Sequence, residues 1–516
     1  MPPYLALFIW LVFVAGLLCF DPAREKGTSA ALWVPVIWIF ITASRLPAQW
    51  LAGGSTMQSQ AQAFEEGNPI DRTFFIVLIL LSLAILLARS FKWGKFFSQN
   101  KFLMAFVVFS LLSVLWSDFP FVAFKRWYRD LGNYLVIMVV LSDPRPVEAV
   151  KTLLRRLCYL LIPLSIVLIK YFPLIGRQYS EWTGALMYTG VTTGKNMLGA
   201  IYLVGGLFFF WDTLTRWSAR KEGRTKQILL VNLAFIYMTF WLLIPTDSAT
   251  SRVCLVLGCL VIAVVRSGWG KAHPGSIRFL IPATFCLYLI FAFGFNINGD
   301  LASAVGRDPT LTDRTGIWKA VLAAHTNWLV GCGYASFWLG SRLQPIWQQF
   351  GHINESHNGY LEVYLDLGSI GVALLVGLLV AAYQNVCRSL KSLSDISSLN
   401  LALWTIVLFY NMTEAAFKFH LVWMLFLLTA IAVPGVDEAH ASGLRVPEHA
   451  PVPARLRRTS RTNGRLEEMV GRPVRQAARS VLATSPGHAT GLALLNGWSG
   501  GLTSLACVSV NRKKGS

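Results

Sequence analysis

Long apolar stretches separated by short polar ones run through the first 433 residues. They lie at 4–20, 30–46, 72–88, 102–116, 131–141, 157–172 and 196–211, then at 228–244, 253–265, 279–296, 367–386, 400–412 and 418–433. A helix needs about 20 apolar residues to cross the hydrocarbon layer. The pattern therefore predicts an all-α fold, a polytopic transmembrane helix bundle of about 12–13 spans. Runs 131–141, 253–265 and 400–412 are short. The last two are expected to continue into polar flanks buried by neighbours, and 131–141 is a candidate re-entrant segment. The longest polar interruption before the C-terminal tail ends at Asp366. Four regions follow: an N-terminal bundle at 1–296, a large loop at 297–366, C-terminal spans at 367–433 and a tail at 434–516.

Composition supports this division. Of 516 residues 54% are hydrophobic and only 14% charged, too little charge for a soluble chain of this size. The net charge of +20 is carried by loops and tail, which argues for an anionic membrane surface and against nucleic acid. Basic clusters recur at Arg89–Lys101, at Lys151, Arg155 and Arg156, at Arg216–Lys226 and at Arg266–Arg278. Alternation through the runs puts all of them on one side, the cytoplasmic one. The 297–366 loop then faces outward, into the periplasm of a bacterium. Residues 441–516 sustain no apolar period and carry many arginines, so they are expected to form a disordered cytoplasmic tail. The cysteines sit mostly in apolar runs without C-x-x-C spacing, as small hydrophobes. The first run lacks a basic leader and a cleavage site and is expected to be retained.

Candidate chemistry collects in and around the outer loop. His357 precedes the apolar run that starts near Leu361, with Asn354 or Ser356 as expected N-cap. A helix N-terminus disfavours an imidazolium, so His357 is expected to be neutral and able to accept a proton from a hydroxyl. Arg252, in Thr250-Ser251-Arg252, and Arg314, in Asp313-Arg314-Thr315-Gly316-Ile317-Trp318, lie near membrane depth on the same side. Guanidiniums there need partners or a water-filled cavity, and two of them suit a diphosphate. The plainer alternative pairs Arg252 with Asp247, and Arg314 with Asp313 or a carbonyl. Lys195 opens a further span from that side, with Asn196 beside it, and can assist an anion together with free backbone amides. Asn358 and Trp318 are the remaining candidate substrate contacts. Lys125, Arg126 and Arg129 form an outer basic patch suited to interfacial anchoring. Glu362 and Asp366 share a helix face without histidines, and His352, Glu355 and His357 match no trusted metal spacing, so no metal site is expected. His420, near Lys418 and Glu414, is expected to be a buried hydrogen-bonded group.

The segments TTGKNMLG at 192–199, TSR at 250–252, DRTGIW at 313–318, GCGYASF at 331–337 and HNGYLEVYLDLGSIG at 357–371 resemble the O-antigen ligase/O-antigen polymerase superfamily, in its ExoQ-like exopolysaccharide branch. The similarity covers roughly 65–433 and is densest over 190–371. It implies a GT-C-like glycosyltransferase of the bacterial inner membrane, active on its periplasmic face. The donor would be an undecaprenyl-diphosphate-linked glycan, and the acceptor a hydroxyl of another lipid-linked repeat or of a lipid A core sugar. It also implies that His357 is the essential histidine, that Arg252 and Arg314 bind the diphosphate, and that neither metal nor nucleotide cofactor is needed. Expected partners are that donor, a glycan or lipid acceptor, membrane lipids and other polysaccharide assembly proteins. Members often have about twelve spans, one fewer than the runs counted here. The rival class is a transporter or flippase for an anionic lipid or saccharide, with the arginines lining its path. Paired Gly/Pro-broken segments in matching halves, which that class would show, are missing from the sequence. A non-catalytic scaffold would leave the Arg/His group unexplained.

Overall fold

The computed structural model describes residues 1–21, 27–51, 67–89, 91–179, 184–290, 314–324, 327–391 and 396–433. The expected tail, Asp313 and His325 lie outside them. The described chain is helical apart from a short antiparallel hairpin, Arg177–Tyr179 against Leu186–Tyr188. Each apolar run has its helix. Six helices are long and apolar enough to cross a membrane: Pro69–Ala88, Pro146–Tyr171, Lys195–Ala219, Gly223–Thr246, Ala249–Arg266 and Gly359–Leu390. A bent pair, Trp93–Gln99 and Lys101–Trp116, would make seven, and Pro3–Cys19, Ala30–Thr42, Pro274–Leu289, Ser397–Tyr410 and Leu421–Ala430 are shorter apolar helices.

Two sequence expectations change here. Run 131–141 is not re-entrant: it ends a continuous 22-residue helix, Pro120–Leu141. The polar first half of that helix hid its length from a hydropathy reading. Its basic residues are not all anchors, since Arg126 Nη1 donates to Ala335 O at 2.5 Å and Arg129 Nε pairs with Asp130 at 2.9 Å. Asp130 in turn accepts the Tyr334 hydroxyl at 2.8 Å, so this helix grips the segment that precedes Gly359. Second, Arg155 and Arg156 are not loop charges. Both lie inside Pro146–Tyr171, buried, and pair with Asp212 at 3.0 Å and Asp21 at 2.9 Å. A buried guanidinium is tolerated only with such a partner.

The long helix that follows that segment is broken. Gly359–Lys391 has non-helical geometry at Gly368, φ 64° and ψ −166°. That region is essentially closed to residues with a Cβ. The break frees backbone groups that a membrane segment cannot leave unpaired, and residues 328–333 take them up. Cys332 N donates to Leu365 O and Gly333 N to Asp366 O, while Ser369 N and Ile370 N donate to Trp328 O and Leu329 O. A Cβ on Gly368 would overlap the Leu329 carbonyl. Gly368→Ala is therefore expected to cost at least about 1–3 kcal/mol from backbone strain alone. Thermal unfolding of the purified variant should show it as a lowered Tm and a lower yield of folded protein. A small second core completes this region, built from residues such as Ile317, Val321, Phe337, Trp338, Ile346 and Leu365.

Candidate active site

The site is assembled by the turn between Ser397–Tyr410 and Leu421–Ala430. Asn411 braces that turn: its Nδ2 donates to Val407 O, and its Oδ1 accepts from Ala416 N. Gly359 docks on it, donating its N–H to Asn411 O at 2.8 Å and Glu414 O at 3.0 Å. Any Cβ on Gly359 would strike the Asn411 side chain, which gives His357-Asn358-Gly359-Tyr360 a physical reason. Asn358, not Asn354 or Ser356, is the N-cap, its Oδ1 accepting from Tyr360 N and Leu361 N. The sequence reading misplaced the cap because it could not see that the helix starts only where Gly359 meets the turn. Asn358 oxygen is thereby committed to capping.

His357 itself has φ 53°, a left-handed backbone uncommon for a residue with a side chain. Its neighbours hold it there. Ser356 N donates to Glu362 Oε1 at 2.7 Å, and Trp318 Nε1 donates to Ser356 O at 2.8 Å. Glu362 also accepts Trp338 Nε1 at 2.9 Å and pairs with Lys418 at 3.1 Å; Lys418 reaches Asp366 at 2.5 Å. The face shared by Glu362 and Asp366 thus receives a half-buried lysine, which fixes this turn to the segment bearing Glu414. Trp318, expected to contact substrate, serves in this structure to shape the His357 turn.

Glu414 is the centre that sequence reading missed. Its buried carboxylate accepts Asn196 Nδ2 at 2.9 Å and Arg314 Nη2 at 3.3 Å, and lies 3.8 Å from His357 Nδ1. Arg314 Nη1 donates to Thr413 O at 2.5 Å. Glu355 approaches His357 Nδ1 from the other side, at 2.9 Å. The expected neutral imidazole is corrected by these two carboxylates. Burial alone would lower its pKa, but Glu355 first and Glu414 after it outweigh burial and push it up to about 10. Glu355 is lowered, since burial, which raises it, loses to the His357 charge. The helix-end argument failed because it weighed a partial dipole against no neighbouring full charges. His420 is hydrogen-bonded as expected but only half-buried, its Nδ1 accepting from Val422 N as a helix cap.

Arg252 reaches the same region through its helix. Thr250 and Thr413 share a hydroxyl–hydroxyl bond of 2.7 Å, joining the start of Ala249–Arg266 to the turn that bears Glu414. Its guanidinium pairs with Asp247 at 2.5 Å, as the plainer alternative had it, while Nε is buried without a hydrogen-bond partner among the described residues. The pair is half exposed and contributes little to stability by itself. Lys195 and Asn196 open Lys195–Arg216 alongside. Gly199 lets that helix lie against Ser248 and Ser251, and Arg45 Nη2 holds the preceding loop through Ile175 O and Thr192 O. Lys195, half-buried, makes no ion pair among the described residues. Arg314, His357 and Asn196 therefore converge on one carboxylate, with Arg252 joined to the same turn and Lys195 beside Asn196.

Ligand-capable atoms of Glu355, His357 and Glu414 all lie within 4.8 Å of one another, so this trio could hold a metal ion. The spacing argument did not foresee that cluster, because Glu414 comes from a distant turn and replaces His352, whose ring lies against Trp347. Arg314 and Asn196 both bond Glu414 Oε1, and Oε2 is the oxygen turned toward His357. The Arg314 guanidinium on that carboxylate also suits trading one anion for another.

Residues 233–376 match the family model described as O-antigen ligase. The chain is also 24% identical over 320 residues, 57% of this chain and 67% of the relative, to the exopolysaccharide production protein ExoQ of Rhizobium meliloti (strain 1021). Both matches make this chain similar to O-antigen ligases and to ExoQ. Its multi-pass helical character and a polysaccharide-related ligase or polymerase role follow from these matches. The O-antigen ligase-like segment contains Arg252, Arg314, Trp318, His357 and Asn358, whereas Lys195, Asn196 and Glu414 fall outside it.

Proposed function

We propose that the protein is a glycosyltransferase of the GT-C type in the bacterial inner membrane. It transfers or polymerises an undecaprenyl-diphosphate-linked oligosaccharide onto an acceptor hydroxyl at the periplasmic face. The observation that carries this reading is the convergence of Arg314, Asn196 and His357 on Glu414, with Arg252 one hydrogen-bonded step away. In the resting protein each guanidinium sits on a carboxylate, Arg314 on Glu414 and Arg252 on Asp247. The donor diphosphate takes their place and offers both arginines bidentate oxygens. His357 accepts the acceptor hydroxyl proton through Nε2, and the Glu355 carboxylate, 2.9 Å from Nδ1, supplies the charge that favours the imidazolium so formed. The acceptor oxygen attacks the anomeric carbon, and the bond to the leaving undecaprenyl diphosphate breaks. Arg252 and Arg314 stabilise the charge that grows on it, without need of a metal. Another lipid-linked repeat is the acceptor of a polymerase, and a lipid A core sugar that of a ligase.

The direct test incubates purified protein with a lipid-linked repeat unit and no added metal or nucleotide, then sizes the glycans. Longer glycans are the expected product; their absence in an otherwise folded preparation would sink the reading. The raised His357 pKa adds a pH signature. A base held protonated below about 10 is scarcer by a factor of about ten for each pH unit lower. The kcat/KM value is therefore expected to climb about tenfold per unit between pH 7 and 9. Glu355→Gln removes the strongest attraction for that proton, so its limb should move to lower pH. The raised pKa also favours a second reading, in which His357 stays an imidazolium and serves as a third cation for the diphosphate. That reading requires activity to fall as pH rises, so the sign of the slope decides.

A further inference from the structure

We infer that the donor's polyprenyl tail lies in the crevice between Ala249–Arg266, Pro274–Leu289 and Ser397–Tyr410. This cavity of about 160 Å³ is lined by Leu257, Leu260 and Val264 from the first helix, Ile277 and Ile281 from the second and Phe409 from the third. The two hydroxyls beside it are spent within their own helices: Thr284 donates to Leu280 O and Thr405 to Leu401 O, both at 2.8 Å. Nothing polar is left to hold water there, and an apolar chain is the matching occupant.

The occupant is specified by what stands at the head of the crevice. Arg252, Val256, Leu260 and Val264 follow one another at i, i+4 spacing, a row that winds slowly round the helix. It starts at the guanidinium, enters the cavity at Leu260 about 12 Å down the axis and reaches Val264 at about 18 Å. Val256 and Leu260 along that row are 61% and 56% exposed, presenting apolar surface directly below the cation. A lipid whose diphosphate is held by Arg252 places its first isoprene units on Val256 and the next ones in the crevice from Leu260 down. The third helix ends three residues before Thr413, so phosphate and tail subsites share the elements that bear Arg252 and Glu414.

This inference rests on the donor being a polyprenyl diphosphate, and the test separates the two claims. Full-length Leu260→Trp and Val264→Trp proteins in nanodiscs would be assayed with two donors bearing the same glycan, one on an undecaprenyl and one on a two- or three-isoprene tail. Leu80→Trp, on the lipid-facing side of Pro69–Ala88, serves as control at a position 57% exposed. Filling the crevice is expected to raise KM for the long-tailed donor about tenfold, the equivalent of roughly two buried methylenes. KM for the short-tailed donor and kcat should change less than twofold, and the control should match wild type. Equal effects on both donors, or none on either in folded variants, would overturn the groove while leaving the donor reading intact; the second is the outcome if ordinary phospholipid chains fill it. A wild-type protein inactive on both donors would overturn the donor reading and the groove with it.

Discussion

His357→Ala is expected to lower kcat by about 10²–10⁴-fold, the range a positioned general base supplies. Donor binding should survive, because both guanidiniums stay in place. The protein should also fold, since Ser356 and Asn358, and not the imidazole, make the hydrogen bonds that set the turn. Removing the ring exchanges one left-handed non-glycine residue for another, so backbone strain at φ 53° is about unchanged. Single-turnover rates at saturating donor, with binding measured separately, would check this. Activity within a few-fold of wild type would remove the histidine from the chemistry. His357→Gln retains a hydrogen-bonding group but cannot take up a proton, and should be no better than alanine.

Glu414→Ala is expected to cost stability as well as activity. Arg314 and Glu414 side chains are 12% and 7% exposed. Breaking such a pair by removing one partner typically costs about 3–5 kcal/mol, because the other charge is left buried. Thr413 O still accepts one Arg314 N–H, which favours the lower end of that range. Glu414→Gln should be milder in stability, since the amide oxygen can still accept from Asn196 or Arg314. Its more telling effect is on ligand exchange: with no carboxylate to displace, a diphosphate should bind Arg314 more tightly. Titration with farnesyl diphosphate as probe, alongside thermal unfolding, would show a lower Kd in the glutamine variant and a lower Tm in the alanine variant. Unchanged Kd and Tm in both would mean that Glu414 is not the hub of the site.

The helices were legible from hydropathy because lipid imposes one rule, that a spanning segment be apolar and satisfy its own backbone. Where that rule is relaxed, by a polar half-helix in Pro120–Leu141 or by buried ion pairs in Pro146–Tyr171, the expected boundaries were wrong. Candidate residues whose chemistry is unusual for a membrane protein, Arg252, Arg314 and His357, also stood out, since charge at depth needs a reason. Glu414 did not: one carboxylate among apolar neighbours carries no spacing that points to residues 57 or 100 positions away. Nor could the protonation of His357 be read, because it depends on which carboxylates the fold brings within 4 Å. By itself, then, the sequence determined a multi-pass helical bundle and the chemical types of its polar groups, both consequences of local composition. Only tertiary structure decided which group faces which: Coulomb and hydrogen-bond energies depend on through-space distance, and a turn closed by Gly359 and Asn411 set those distances.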